Sequence, residues 1–371
     1  MRKPLDPEKL NAALEAVHRA GMPGLFAEVR EGDQVWRGAA GVADLATGRP
    51  VTADMRHRVG SITKTFTAAA VLRQVESGRI GLDDPIGRYL PKLVPGTRGD
   101  AITVRMLINH TSGLDEYLRY AYPSLQAFPA LADTTPRSLD DHRYTRFDPV
   151  ELIGLGVAAP ATGAPGSTPG LYSNTNYLLL GQLLEHVTGT PAEECVTRDV
   201  IERAGLRDTG FPDGPRFDGP QSRLYESWFG MIDPPRDFSV FDMSYAGLGA
   251  ALISTVSDLN RFFGLLFAGE VVSPSSLAEM RRTVRIVSQE NKIIDYGLGL
   301  YPTELPGGTA WGHAGTVWGG GAVAMTSADG KRQMSVAVNM QRWHRLDASG
   351  RPQPHPIDEA LAALYSTAMH G

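Results

Sequence analysis

Strand-like runs lie near the two ends of this chain, and that placement constrains its fold more than any other feature. Residues 24–30 and 34–42 have strand composition, as do 296–301, 322–326 and 333–340. Between 61 and about 285 the chain reads as helices joined by Pro/Gly loops, without sustained strand alternation. Unpaired strands are open edges, so the two terminal sets are expected to pair in one antiparallel sheet. Helices predicted at about 7–19 and 358–369 would flank it. The expected class is α/β: a sheet lobe from 1–60 and 286–371, with 61–285 inserted as a mainly helical lobe and a groove between them. The stretch 117–148, rich in Tyr, Pro and Arg, reads as an irregular excursion.

Composition narrows the function classes. With 371 residues and 42% hydrophobic content, the chain can bury one large core or two lobes. A formal charge of −5, with both signs interspersed, gives no footprint for nucleic acid. The single cysteine, Cys195, excludes an internal disulfide; in a predicted helix at 192–202 it reads as a packing residue. No segment is apolar for long enough to span a bilayer, and no hydrophobic signal region precedes the first helix. The expected location is cytoplasmic as written, or exported if a leader has been removed. No metal or organic-cofactor motif is visible, and the sequence does not encode the oligomeric state.

The chemistry starts at Ser61-Ile62-Thr63-Lys64, after Val59-Gly60 and at the head of a predicted helix from 61 to 77 that Gly78 ends. A serine and a lysine three apart on a helix sit one turn above each other. The helix N-terminus favours negative charge developing at the serine. A lysine shut away from water can lose its proton and deprotonate the serine. Phe66, Ala69, Ala70 and Leu72 make the helix apolar almost all round, a costly setting for an unpaired charge.

Two further groups answer to it. Tyr172-Ser173-Asn174 follows the Gly/Pro-rich loop 163–170 and opens a predicted helix at 176–187. Tyr172 can shuttle a proton there and Asn174 can hold a carbonyl or the lysine, although Ser and Asn are also ordinary helix caps. Gly312-His313-Ala314-Gly315-Thr316 places a histidine on a glycine-rich strand able to approach a ligand closely.

In this order the three groups resemble the penicillin-recognising serine enzymes. Within that group the chain is similar to the branch of D-alanyl-D-alanine carboxypeptidases, class C β-lactamases, D-aminopeptidases and related esterases. Phrases such as Leu107-Ile108-Asn109-His110-Thr111-Ser112-Gly113-Leu114 and Tyr296-Gly297-Leu298-Gly299-Leu300 extend the resemblance. It implies the β-lactamase/DD-peptidase-like fold, no cofactor and an acyl-enzyme mechanism. In that scheme Ser61 is the nucleophile, and Lys64 and Tyr172 form the acid–base pair. The amides of Ser61 and Thr316 form the oxyanion hole, Asn174 holds the acyl amide, and His313 tunes Tyr172 or the substrate's charge.

Departures from the family pattern bear on the substrate. Ala314 and Tyr301 stand where carboxylate-binding relatives carry a threonine and an arginine. That removes a bidentate contact to a substrate carboxylate, unless Arg342 supplies it. Tyr122, Tyr245 and Trp318, with Tyr117 and Tyr120, are expected around the acyl group, or else as packing. The expected partner is a small-molecule or peptide substrate. The leading expectation is a serine hydrolase or acyltransferase acting on an amide, ester or thioester of a small, possibly D-configured, peptide or acyl group. The alternatives are a D-Ala-D-Ala carboxypeptidase, a nonribosomal-peptide offloading cyclase, a class C-like β-lactamase and a non-catalytic penicillin-binding sensor.

Overall fold

A computed structural model describes residues 4–125 and 136–371. The terminal strands pair with each other. Seven antiparallel strands run in the order Tyr301–Leu305, Gly308–Val317, Gly320–Ser327, Arg332–Val338, Gly24–Glu31, Gln34–Asp44 and Arg49–Pro50. The two ends of the chain meet where Leu25 opposes Val338 and Glu31 opposes Arg332.

Period-two alternation lets the strand Gly24–Glu31 serve both faces of the sheet. Leu25, Ala27 and Val29 share a core with Leu10 and Leu14 of helix Pro7–Arg19 and with Leu364 of helix Pro356–His370. Each of these leucines and Val29 contributes about 1.5–3 kcal/mol of transfer free energy. Phe26 joins a different cluster with Val256 and Ala337. On that face Asn260, in helix Val256–Phe267, donates to the Glu28 carbonyl at 2.9 Å. Helix Thr63–Glu76 is buried from Thr63 through Leu72 and packs on helix Thr175–Thr188.

The structure corrects some expectations. Residues 296–301 are not one strand. Ile293–Tyr296 pairs with Val284–Val287 in a separate small sheet, and Tyr301–Leu305 forms the edge of the main one. The chain turns between them because Gly299 takes φ +75°, where a Cβ would lie 2.5 Å from the Ala68 side chain and 2.9 Å from the Lys64 carbonyl. The excursion at 117–148 is partly helical, with turns at Leu118–Ala121, Pro123–Leu125 and Arg137–Asp141; residues 126–135 lie outside the described residues. Cys195 is buried, and burial together with Asp199 pushes its thiol up to about 12, which makes it inert as a nucleophile. Among the described residues no helix is long and apolar enough to cross a membrane.

Candidate active site

Ser61 lies in a 3-10 turn, Gly60–Ile62, and the α-helix proper starts at Thr63. The reason is the close approach of two backbones. A Cβ on Gly60 would sit 2.6 Å from the Thr316 amide nitrogen, and one on Gly315 would sit 2.6 Å from that of Ser61. The two glycines thus bring the amides of Ser61 and Thr316 side by side, as a two-donor oxyanion hole requires.

Lys64 is fully buried. Its Nζ donates to Asn174 Oδ1 at 2.6 Å and to the Gly249 carbonyl at 2.9 Å, and lies 3.1 Å from Ser61 Oγ. As the ammonium, Lys64 donates to all three oxygens; once deprotonated it can keep the bonds to Asn174 and Gly249 and turn its lone pair to the serine. Burial lowers the Lys64 pKa to about 7, and the charge of Glu116 opposes that fall. Burial raises the Tyr172 phenol well above its usual value, a hydrogen bond with Ser61 partly opposing, which favours its protonated form.

Asn174 precedes helix Thr175–Thr188 but makes no side-chain cap. Its amide is committed elsewhere: Oδ1 to Lys64, and Nδ2 to Glu116 Oε2 at 2.8 Å. Glu116 also accepts from the amides of Asn174 and Leu118, at 2.8 and 3.1 Å. A carboxylate accepting three N–H groups fixes which way the Asn174 amide points. Burial raises the Glu116 pKa while these bonds hold it down. His110, buried in the left-handed region at φ 62°, stacks on Tyr172 with ring centres 4.1 Å apart and accepts from the Ser173 amide at 3.2 Å.

His313 bonds to Tyr296 and to its own strand. Its Nε2 meets Tyr296 Oη at 2.9 Å and its Nδ1 meets the Ala314 carbonyl at 2.5 Å. Burial lowers its pKa to about 3, so it is neutral and brings no charge to a substrate.

The cleft in front of Ser61 has a volume of about 670 Å³. Glu116, Tyr172, Asn174, Thr316, Tyr245 and Trp318 line it, whereas Tyr122 packs behind Tyr245 and Trp318. Tyr245 and Trp318 stack with centres 5.9 Å apart. Tyr117 also faces the cleft and bonds through its hydroxyl to the Tyr245 carbonyl; Tyr120 is exposed. The Tyr301 hydroxyl oxygen accepts from the Ala314 amide at 3.1 Å. Arg342 reaches the cleft, but its Nε and Nη2 are held by the buried Glu226.

Sequence reasoning gave no role to Glu116, Gly249 or Glu226, and Tyr296 stood only at the head of a phrase of the resemblance. His110 stood inside a quoted phrase, and Glu116 follows that phrase by two residues; that position was the one available signal.

A serine in contact with a buried, readily deprotonated lysine, beside two converging amides, defines a serine hydrolase of the acyl-enzyme type. The family description Beta-lactamase matches residues 10–355. The chain belongs to that family. It is 31% identical to "Esterase EstB" of Burkholderia gladioli over 349 residues, 85% of this chain and 86% of the relative. A solved D-stereospecific amidohydrolase from Streptomyces sp. superposes with TM-score 0.78 at 36% identity, covering 91% of this chain and 95% of that one. A D-amino acid amidase from Ochrobactrum anthropi superposes with TM-score 0.79 at 21% identity, covering 97% of each, a likeness of fold.

Proposed function

We propose that this chain cleaves the amide or ester of a small D-configured aminoacyl substrate through a Ser61 acyl-enzyme. The observation that carries this reading is the charge layout of the cleft. A buried carboxylate, Glu116, is set in its wall beside the nucleophile, and Arg342, a cation on that wall, is neutralised by Glu226. The lining also carries Arg119 and Lys292 with Glu290 and Asp358, so the deciding feature is the Glu116 carboxylate, which suits a substrate with a free α-ammonium. The likeness to an esterase and to a D-stereospecific amidohydrolase supports the bond type and the configuration.

In the reaction, Ser61 Oγ attacks the carbonyl carbon while its proton passes to Lys64 Nζ. The oxyanion forms between the amides of Ser61 and Thr316. As the C–N or C–O bond breaks, the Lys64–Tyr172 pair delivers a proton to the departing amine or alcohol. Water then repeats the attack on the ester, giving its proton to Lys64 and returning one to Ser61.

The test compares D- and L-phenylalaninamide, D-phenylalanine methyl ester and the free-acid dipeptide D-Ala-D-Ala, with Ser61→Ala as blank and products followed by mass. Cleavage of the D-amide and D-ester is expected, with the L-amide at least roughly 100-fold slower, a discrimination of about 2.7 kcal/mol. Equal rates for both enantiomers, or preferred cleavage of the free acid, would overturn the reading. Added amine nucleophiles would reveal acyl transfer in the same spectra.

A further inference from the structure

One buried carboxylate ties together three separate parts of the cleft wall. Glu226, wholly shielded from solvent, fills both its oxygens. Oε1 accepts from the Trp228 amide at 2.8 Å and from Arg342 Nε at 2.9 Å. Oε2 accepts from the Gly319 amide at 2.8 Å and from Arg342 Nη2. The guanidinium in turn donates to the Val317 carbonyl at 3.0 Å and lies over the rings of Trp228 and Trp318, 5.2 and 4.9 Å from their centres.

The backbone around this pair is held in an unusual state. Trp228, Phe229 and Arg342 have φ of 45°, 60° and 53°, the left-handed region that a Cβ disfavours. The Phe229 amide donates to the Arg342 carbonyl at 2.8 Å, so the strained residues are neighbours. Strain of this kind persists where surrounding contacts over-determine it, and it gathers at functional sites. Phe229 and Trp318 face the cleft, and Trp318 is two residues beyond Thr316. A buried ion pair is a weak stability device, since desolvation cancels much of the attraction. Its product here is geometry.

The geometry points to Glu226 and Arg342 as positioning residues for acyl-group specificity, a role that rests on the acyl-enzyme reading above. They act through Trp318 and Phe229, holding them as a rigid aromatic wall that selects a flat, apolar acyl side chain over a small one. The fork geometry, two parallel N–H···O contacts, is what sets the wall; lysine cannot reproduce it.

The experiment uses two achiral esters, p-nitrophenyl phenylacetate and p-nitrophenyl acetate, so that it does not depend on the D-preference. The variants are Arg342→Lys, which keeps the charge, and Glu226→Gln/Arg342→Met, which removes both charges at similar volume. The expected result is at least a tenfold fall in the phenylacetate-to-acetate ratio of kcat/KM in both variants. The fall should be carried by KM for phenylacetate, with kcat for acetate within threefold of wild type. An unchanged ratio, or a parallel fall on both esters, would assign the pair a purely structural role and overturn the inference. Should the double variant fail to melt cooperatively, Arg342→Lys alone decides. A wild type that acylates Ser61 with either ester but ignores D-aminoacyl amides sinks the substrate proposal and leaves this one standing or falling on the ratio.

Discussion

Lys64→Met should lower kcat/KM by roughly 10²- to 10⁴-fold, the loss expected when acid–base assistance is removed. Methionine keeps most of the stem volume in a helix buried on all sides, so the fold should survive. It leaves Asn174 Oδ1 and the Gly249 carbonyl without their donor, a cost of about 1–3 kcal/mol for each buried acceptor. A lower melting temperature is therefore expected, with a cooperative transition. The pH profile of the wild type checks the same assignment. Below a pKa of about 7 the Lys64 ammonium carries a proton where the serine needs a lone pair; above it the amine is free. Activity should rise with pH through that value. Glu116 raises the Lys64 pKa, so Glu116→Gln should move the rising limb to lower pH. A limb that stays in place would show that the titrating group is not Lys64.

Gly315→Ala should be nearly as damaging, by a different route. A Cβ there would lie 2.0 Å from the Val59 carbonyl oxygen and 2.6 Å from the Ser61 amide nitrogen. Both are backbone atoms, so no side chain can rotate away and the strand carrying Thr316 must shift from the Gly60–Ile62 turn. One misplaced oxyanion donor costs about 2.7–4 kcal/mol of transition-state stabilisation in other serine hydrolases. A loss of at least 100-fold in kcat/KM is expected, chiefly in kcat. Gly154→Ala is the control: it lies in helix Pro149–Ala158 with nothing within 4 Å of the added carbon, and should be neutral or slightly stabilising. Activity of Gly315→Ala within threefold of wild type would contradict the two-amide arrangement.

What was legible in the sequence was local. Ser61 and Lys64 are one turn apart, Tyr172 and Asn174 share a loop–helix junction, and each spacing carries its own geometric consequence. The sheet was legible because strands at both ends have only each other to pair with. The glycine-rich strand Gly308–Val317 was weaker, since glycines that allow the approach to Gly60 also dilute the strand signal. Glu116 was hidden because it meets Asn174 across 58 positions. Glu226 meets Arg342 across 116. Gly249 contributes only a carbonyl, which no side-chain pattern can announce. For His313 the resemblance implied tuning of Tyr172 or of the substrate's charge; its bond to Tyr296 was not legible, because it depends on how the small sheet turns at Gly299 into the edge of the main one.

The central claim is that catalysis passes through an ester on Ser61. Mixing the protein with p-nitrophenyl phenylacetate, quenching in acid before steady state and measuring intact mass with peptide mapping tests it directly. One phenylacetyl group should appear on the peptide containing Ser61, decay at the rate of turnover and be absent from Ser61→Ala. Turnover without that adduct, or with the label on another residue, would contradict the account.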